Sequence, residues 1–261
     1  MNRLTERLGR LKKEGRKAFV AYLMAGEPSW EALADIVVEL EPVGVSAVEI
    51  GVPFSDPIAD GPVIQAAANR ALSRGVTLSE IFERMAALRE RTDLPLLLMG
   101  YWNVFLRYGR ERCLKAACSA GVDGFIIADL PPEADAEFFA RARKLELCTV
   151  VLAAELTPAE RLKRIAASAS GFLYYVPQSG ITGLELKTEN TVGERIRLIR
   201  SFTDTPVLIG IGVKTREDAR RLSSQADGVI VGTRIVEFVH QNAGRPDLPR
   251  ATARFVAGLM P

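Results

Sequence analysis

The sequence has 261 residues with 34 basic and 32 acidic side chains, a formal net charge of +2, and 48% hydrophobic residues. Near-cancelling charge excludes the strong basic excess of a nucleic-acid-binding surface, and the apolar fraction supports a sizeable core. Cys113, Cys118 and Cys148 form no CxxC pair, which points to reduced thiols rather than a disulfide framework. With His240 the one histidine, a zinc centre or a Ser-His-Asp triad is not expected.

In chain order, the opening MNRLTERLGRLKKEG places Leu4, Leu8 and Leu11 on one helical face. It has no apolar h-region, so a signal peptide is not expected, and no apolar run is long enough to span a membrane. A cytoplasmic location follows as an expectation. Short apolar runs then recur at 18–24, 47–51, 95–99, 124–128, 148–152, 171–176, 206–209 and 228–231. Several are apolar at consecutive positions, as in GFIIA and TVVLAA, which is the mark of strands covered on both faces. Amphipathic stretches separate them at 30–40, 78–89, 110–120, 134–144, 158–167, 193–200, 216–223 and 234–240. Thr157-Pro158 and Thr215 supply helix-start signals, and a further helix is expected to begin near Pro62. Eight strands each followed by a helix predict a single-domain (β/α)8 barrel with an extra N-terminal helix over residues 1–261, and a doubly wound open sheet is the runner-up.

Barrel chemistry sits at the C-terminal ends of the strands. There the second strand carries Glu49 between Val48 and Ile50, so its carboxylate is predicted to point into the barrel. Such a group is either a proton carrier with a raised pKa or a structural carboxylate held by a buried partner. Asp56 and Asp60 follow on a loop rich in proline and glycine. A loop acid taken alone is usually solvated or caps a helix, but three acids in so short a span make a catalytic pair more plausible.

Glycine clusters follow the last three strands: Gly180 to Gly183, Gly210 to Gly212, and Gly232 with Thr233. Glycine lets backbone amides approach an anion, so their recurrence favours a phosphate site. No GxxxxGK[ST] motif is present, which argues against a nucleoside triphosphate. Lys17 begins a strand and Lys187 and Lys214 lie in loops, leaving no evident interior lysine for a Schiff base.

VEIGVPFSDPIADGPVIQ at 48–65 resembles the signature of the tryptophan synthase alpha chain family. Further matches run in order: AGEP at 25–28, LLLMGYWNVFLRYG at 96–109, DGFIIADLPPEA at 123–134, FLYYVPQSGITG at 172–183 and GIGVKTRED at 210–218. The resemblance implies reversible retro-aldol cleavage of indole-3-glycerol phosphate to indole and glyceraldehyde 3-phosphate in tryptophan biosynthesis. It implies Glu49 as the acid/base, Asp60 as the acid that accepts the indole N–H, and Tyr174 as support for the glutamate. It further implies Gly183, Gly212, Gly232 and Thr233 at the phosphate and Tyr22 and Met99 in the indole pocket. Thr233 stands where many relatives carry serine, Tyr22 where phenylalanine is common, and Pro177-Gln178-Ser179 is an unusual lead into the sixth loop.

The same resemblance implies a pyridoxal-phosphate beta subunit as partner in an αββα heterotetramer, met by the loop around Asp56 and Pro57 and by the sixth loop. It implies no cofactor or metal in this chain itself. The alternatives are a stand-alone lyase of the same chemistry, a different phosphosugar enzyme on the same barrel, and an inert subunit that only activates a partner.

Overall fold

The computed structural model describes residues 2–177, 189–210 and 212–261, without the side chains of residues 189–191. The eight strands are β1 Ala18–Met24, β2 Ala47–Gly51, β3 Leu96–Gly100, β4 Gly124–Ile127, β5 Cys148–Ala154, β6 Leu173–Val176, β7 Val207–Ile209 and β8 Gly228–Val231. All neighbouring strands are parallel, in the order of the chain, and β8 returns to pair with β1, closing the barrel. The open-sheet runner-up is thereby excluded.

The alternation of side chains sorts each strand into an inner and an outer set. Ala18, Val20, Ala47, Leu97, Ile126, Val150, Phe172, Leu208 and Ile230 pack together as the filled interior. Their neighbours Phe19, Val48, Ile50, Leu96, Leu98 and Phe125 face the helices in the larger outer layer. Small residues at Ala18 and Ala47 and large ones at Phe172 and Leu208 let the interior fill without a pore.

The helices that match the expected ones are α1 Arg3–Lys13, α2 Trp30–Leu40, α4 Leu78–Arg89, α6 Arg110–Ser119, α7 Ala136–Lys144, α8 Ala159–Ser168, α9 Glu189–Arg200, α10 Arg216–Gln225 and α11 Thr233–Gln241. The helix expected near Pro62 is α3 Pro62–Ser73, with proline in its first turn. Two further helices, α5 Trp102–Tyr108 and α12 Leu248–Leu259, lay outside the sequence reading. Thr215 caps α10 reciprocally with Asp218, as its position predicted. Thr157 does not cap α8: its hydroxyl accepts from the Ala154 amide at 3.1 Å, and the helix starts after Pro158 without a side-chain cap.

The floor of the barrel is held by buried charge. Asp123, 2% exposed, accepts from Arg3 at 3.2 Å, Arg89 at 3.0 Å and the Leu96 amide at 2.9 Å. Asn2 donates to the Asp123 carbonyl at 2.7 Å and caps α1 with its own oxygen. The first helix is thereby tied under β3 and β4, at the end opposite the chemistry. Among the described residues, no helix is long and apolar enough to cross a membrane.

Candidate active site

Glu49 lies on β2 opposite Tyr22 of β1 and Leu97 of β3, with Val48 and Ile50 turned to the outer layer as predicted. It is fully buried, and neither carboxylate oxygen has a hydrogen-bond partner among the described residues. The structural carboxylate held by a buried partner, left open by the sequence, is therefore not what these residues show. Desolvation without compensation pushes its pKa up to about 8. A carboxyl poised so close to neutrality can both give and take a proton.

Asp60 reaches the site from the loop between β2 and α3. Its amide donates to the Pro57 carbonyl at 3.1 Å, and its own carbonyl accepts from the Gln65 side chain at 2.7 Å. Burial raises its pKa, partly offset by a hydrogen bond with the Tyr101 hydroxyl. Asp56 on the same loop is exposed, beside the almost wholly exposed Ile58. Of the three acids, Glu49 is fully buried and Asp60 partly so, both near enough to raise the pKa of Tyr22 and Tyr174, and Asp56 is exposed.

Three phenols lie near the two carboxylates, Tyr22 and Tyr174 near both and Tyr101 near Asp60. The Tyr22 hydroxyl stands over Gly51, where any Cβ would overlap it, and its Cβ lies 3.3 Å from the place a Cβ on Gly232 would take. Burial holds the phenol far above its ordinary pKa, and Asp60 and Glu49 add to the shift, in that order. Tyr174 leans over Gly210 and donates its hydroxyl proton to the Gly210 carbonyl at 3.3 Å. Its pKa is raised by burial and then by Glu49 and Asp60.

Tyr101, just past the end of β3, was not among the residues singled out from the sequence. Its hydroxyl accepts from the Ala59 amide at 2.9 Å, and its ring stacks on Phe54 with centroids 5.2 Å apart. It therefore grips the Asp60 loop at both ends. The signal was its place immediately beyond a strand end, followed by the α5 turn whose Trp102 amide donates to Asp129 at 2.6 Å.

Met99 is half-buried near the end of β3, opposite Gly51 and Ile126. Across the mouth, Gly212 adopts φ +93°, open to glycine and strained for other residues. Gly232 precedes α11, which begins at Thr233, so the first amides of that helix point outward without intrahelical acceptors. Gly183 lies outside the described residues. Among the described residues, no group of three or more His, Cys, Asp or Glu side chains could hold a metal ion.

The family model of the tryptophan synthase alpha chain matches residues 8–256. The chain belongs to the tryptophan synthase alpha chain family. The tryptophan synthase alpha chain of Caldanaerobacter subterraneus subsp. tengcongensis is 39% identical over 99% of this chain and 98% of the relative. That of Opitutus terrae is 38% identical over 99% and 97%. Among solved structures, the tryptophan synthase alpha subunit of Legionella pneumophila superposes with a TM-score of 0.90 at 31% identity, covering 99% of this chain and 97% of that one. A chain of tryptophan synthase from M. tuberculosis in its aminoacrylate-bound form gives 0.86 at 30% identity, covering 99% and 100%. The resemblance read from the motifs and the barrel architecture of a tryptophan synthase alpha chain are both borne out.

Proposed function

We propose that this chain is the lyase of tryptophan biosynthesis that cleaves indole-3-glycerol phosphate, with Glu49 as its proton carrier. The observation that carries this reading is the buried Glu49 carboxyl on β2, without a hydrogen-bond partner among the described residues, which shares Tyr22 and Tyr174 as neighbours with the second carboxylate, Asp60. In the cleavage direction, protonated Glu49 delivers its proton to the ring carbon bearing the glycerol chain. Asp60 accepts the hydrogen bond of the ring N–H and balances the positive charge that develops on the ring. The glycerol hydroxyl then loses its proton to Glu49, the carbon–carbon bond breaks, and its electrons return to the ring. Indole and glyceraldehyde 3-phosphate leave, and Glu49 is again protonated, so no net proton is consumed.

Tyr174, electrostatically coupled to both carboxyls, supports the glutamate. Tyr22 and Met99 form walls for the indole ring. Gly212, Gly232 and Thr233, together with Gly183, receive the phosphate through backbone amides and the positive end of α11. The whole chain works as one domain without a cofactor or metal of its own.

The partner is a beta subunit, in an αββα assembly, and pyridoxal phosphate belongs to that subunit. Whole tryptophan synthase among the structural relatives supports this pairing. The exposed Ile58 beside Asp56 offers an apolar contact on the loop assigned to the interface. The assembly acts in the cytoplasm.

The test is release of indole from indole-3-glycerol phosphate by the purified chain, with and without a tryptophan synthase beta subunit. Slow release that the partner accelerates supports the subunit reading. Fast release without acceleration identifies a stand-alone lyase, and no release in either condition overturns the assignment.

A further inference from the structure

The three phenols of the site differ in how their hydroxyls are engaged. The Tyr101 hydroxyl accepts from the Ala59 amide, and the Tyr174 hydroxyl donates to the Gly210 carbonyl. The Tyr22 hydroxyl makes no hydrogen bond to a described residue, although Tyr22 is only 7% exposed. It is held there by shape. The ring is wedged between β2 and β8, its oxygen over the bare Cα of Gly51 and its Cβ close against Gly232.

A phenol O–H fixed in place without a protein partner is a donor that a bound ligand can fill. Burial and the neighbouring Asp60 and Glu49 keep the phenol protonated, so it presents a donor at any ordinary pH. It lies on the inner face in register with Glu49, at the wall that the proposed reading gives to the aromatic ring. We infer that Tyr22 is a specificity-determining residue whose hydroxyl hydrogen-bonds a polar substituent on the bound ring, so that the site prefers indoles bearing a ring hydroxyl over those bearing a methyl group at the same carbon. A hydroxyl and a methyl are close in size, so the preference reads the hydrogen bond rather than the fit.

This inference rests on the lyase reading, and its test separates the two. Binding of hydroxy- and methyl-indoles, substituted in turn at each carbon of the benzo ring, is measured by calorimetry on the purified chain and on Tyr22→Phe. The same pairs are then compared as substrates for condensation with glyceraldehyde 3-phosphate. At one ring position or more, the hydroxy-indole should be favoured over its methyl counterpart by about tenfold in the unsubstituted chain, as one hydrogen bond allows. That ratio should collapse toward unity in Tyr22→Phe, in binding and in kcat/KM alike. An unchanged ratio at every position in a folded Tyr22→Phe variant overturns the inference while leaving the lyase intact. Failure of the unsubstituted chain to cleave indole-3-glycerol phosphate overturns the lyase reading instead, while the calorimetric ratio still decides the role of Tyr22.

Discussion

The ring of Tyr174 fills the space that a side chain at Gly210 would take, and its hydroxyl closes onto the Gly210 carbonyl. A residue on β6 thus depends on the absence of a side chain just beyond β7. Gly210→Ala drives a methyl group into this ring. The expected result is a loss of about 1–3 kcal/mol of stability from overpacking, together with a fall in turnover larger than the fall in substrate affinity. Urea unfolding and steady-state indole release check both. Native turnover in Gly210→Ala would show that Tyr174 need not hold this position.

Glu49→Gln keeps the shape of the side chain and removes its proton transfer. Turnover should drop by at least about a hundredfold, the scale of a lost general acid–base, while the fold is retained. The variant also exposes a linkage. Glu49 titrates near 8 when folded against an ordinary 4.5, so the folded state binds the proton more tightly. Its contribution to stability is complete below 4.5 and is lost as pH rises towards 8. Across that window the wild type should lose roughly 4–5 kcal/mol relative to Glu49→Gln. Urea titrations of both proteins at several pH values measure the difference, and a constant gap would refute the raised pKa.

Asp60→Asn retains a hydrogen-bond acceptor and removes the charge. Because the ring becomes positive only during reaction, kcat should fall by about a hundredfold or more with a smaller change in KM. Equal changes in the two would mean that Asp60 binds substrate rather than stabilising the developing charge.

Tyr101→Phe leaves the Ala59 amide without its acceptor and Asp60 without its phenol neighbour, while the stack on Phe54 survives. Global stability should change by no more than about 1 kcal/mol. Amide exchange at Ala59 should speed up, and kcat should fall several-fold. Unaltered exchange would show that the phenol does not hold the loop.

Asp123→Ala strands Arg89 and Arg3 at the floor, at the far end of the strands from Glu49. Breaking a buried ion pair from one side costs about 3–5 kcal/mol. The variant should melt at a lower temperature yet turn over normally per folded molecule. A specific loss of activity at low temperature would tie the floor to the chemistry.

The strands were legible because each is a short run with apolar residues on both faces, and Glu49 was legible because a carboxylate interrupts one of them. Periodicity also marked the helices that cover the sheet. Tyr101 was passed over: its place beyond a strand end was visible, but an aromatic there looks like core, and its role arises only when folding brings Phe54 and Ala59 over it. Thr157 looked like a cap, but its hydroxyl found a nearer donor in Ala154. α12 escaped because no strand follows it; it packs against α2, far back in the sequence, and nothing local announces that partner. The Gly51–Tyr22 and Gly210–Tyr174 fits were equally silent, since an absent side chain carries no pattern of its own.

The seam between β1 and β8 sets Ala18 opposite Gly228 and Ala21 opposite Val231. During synthesis the first strand leaves the ribosome early and waits for almost the whole chain before its second neighbour exists. Until then β1 offers a bare row of amides and carbonyls, an edge that can pair with another nascent copy. The entropic cost of so long a closure grows only logarithmically, so the hazard lies in the delay more than in the final balance. Translation that stops short of residue 228 leaves an unclosed sheet, and the four residues of β8 separate a closed barrel from an aggregation-prone fragment.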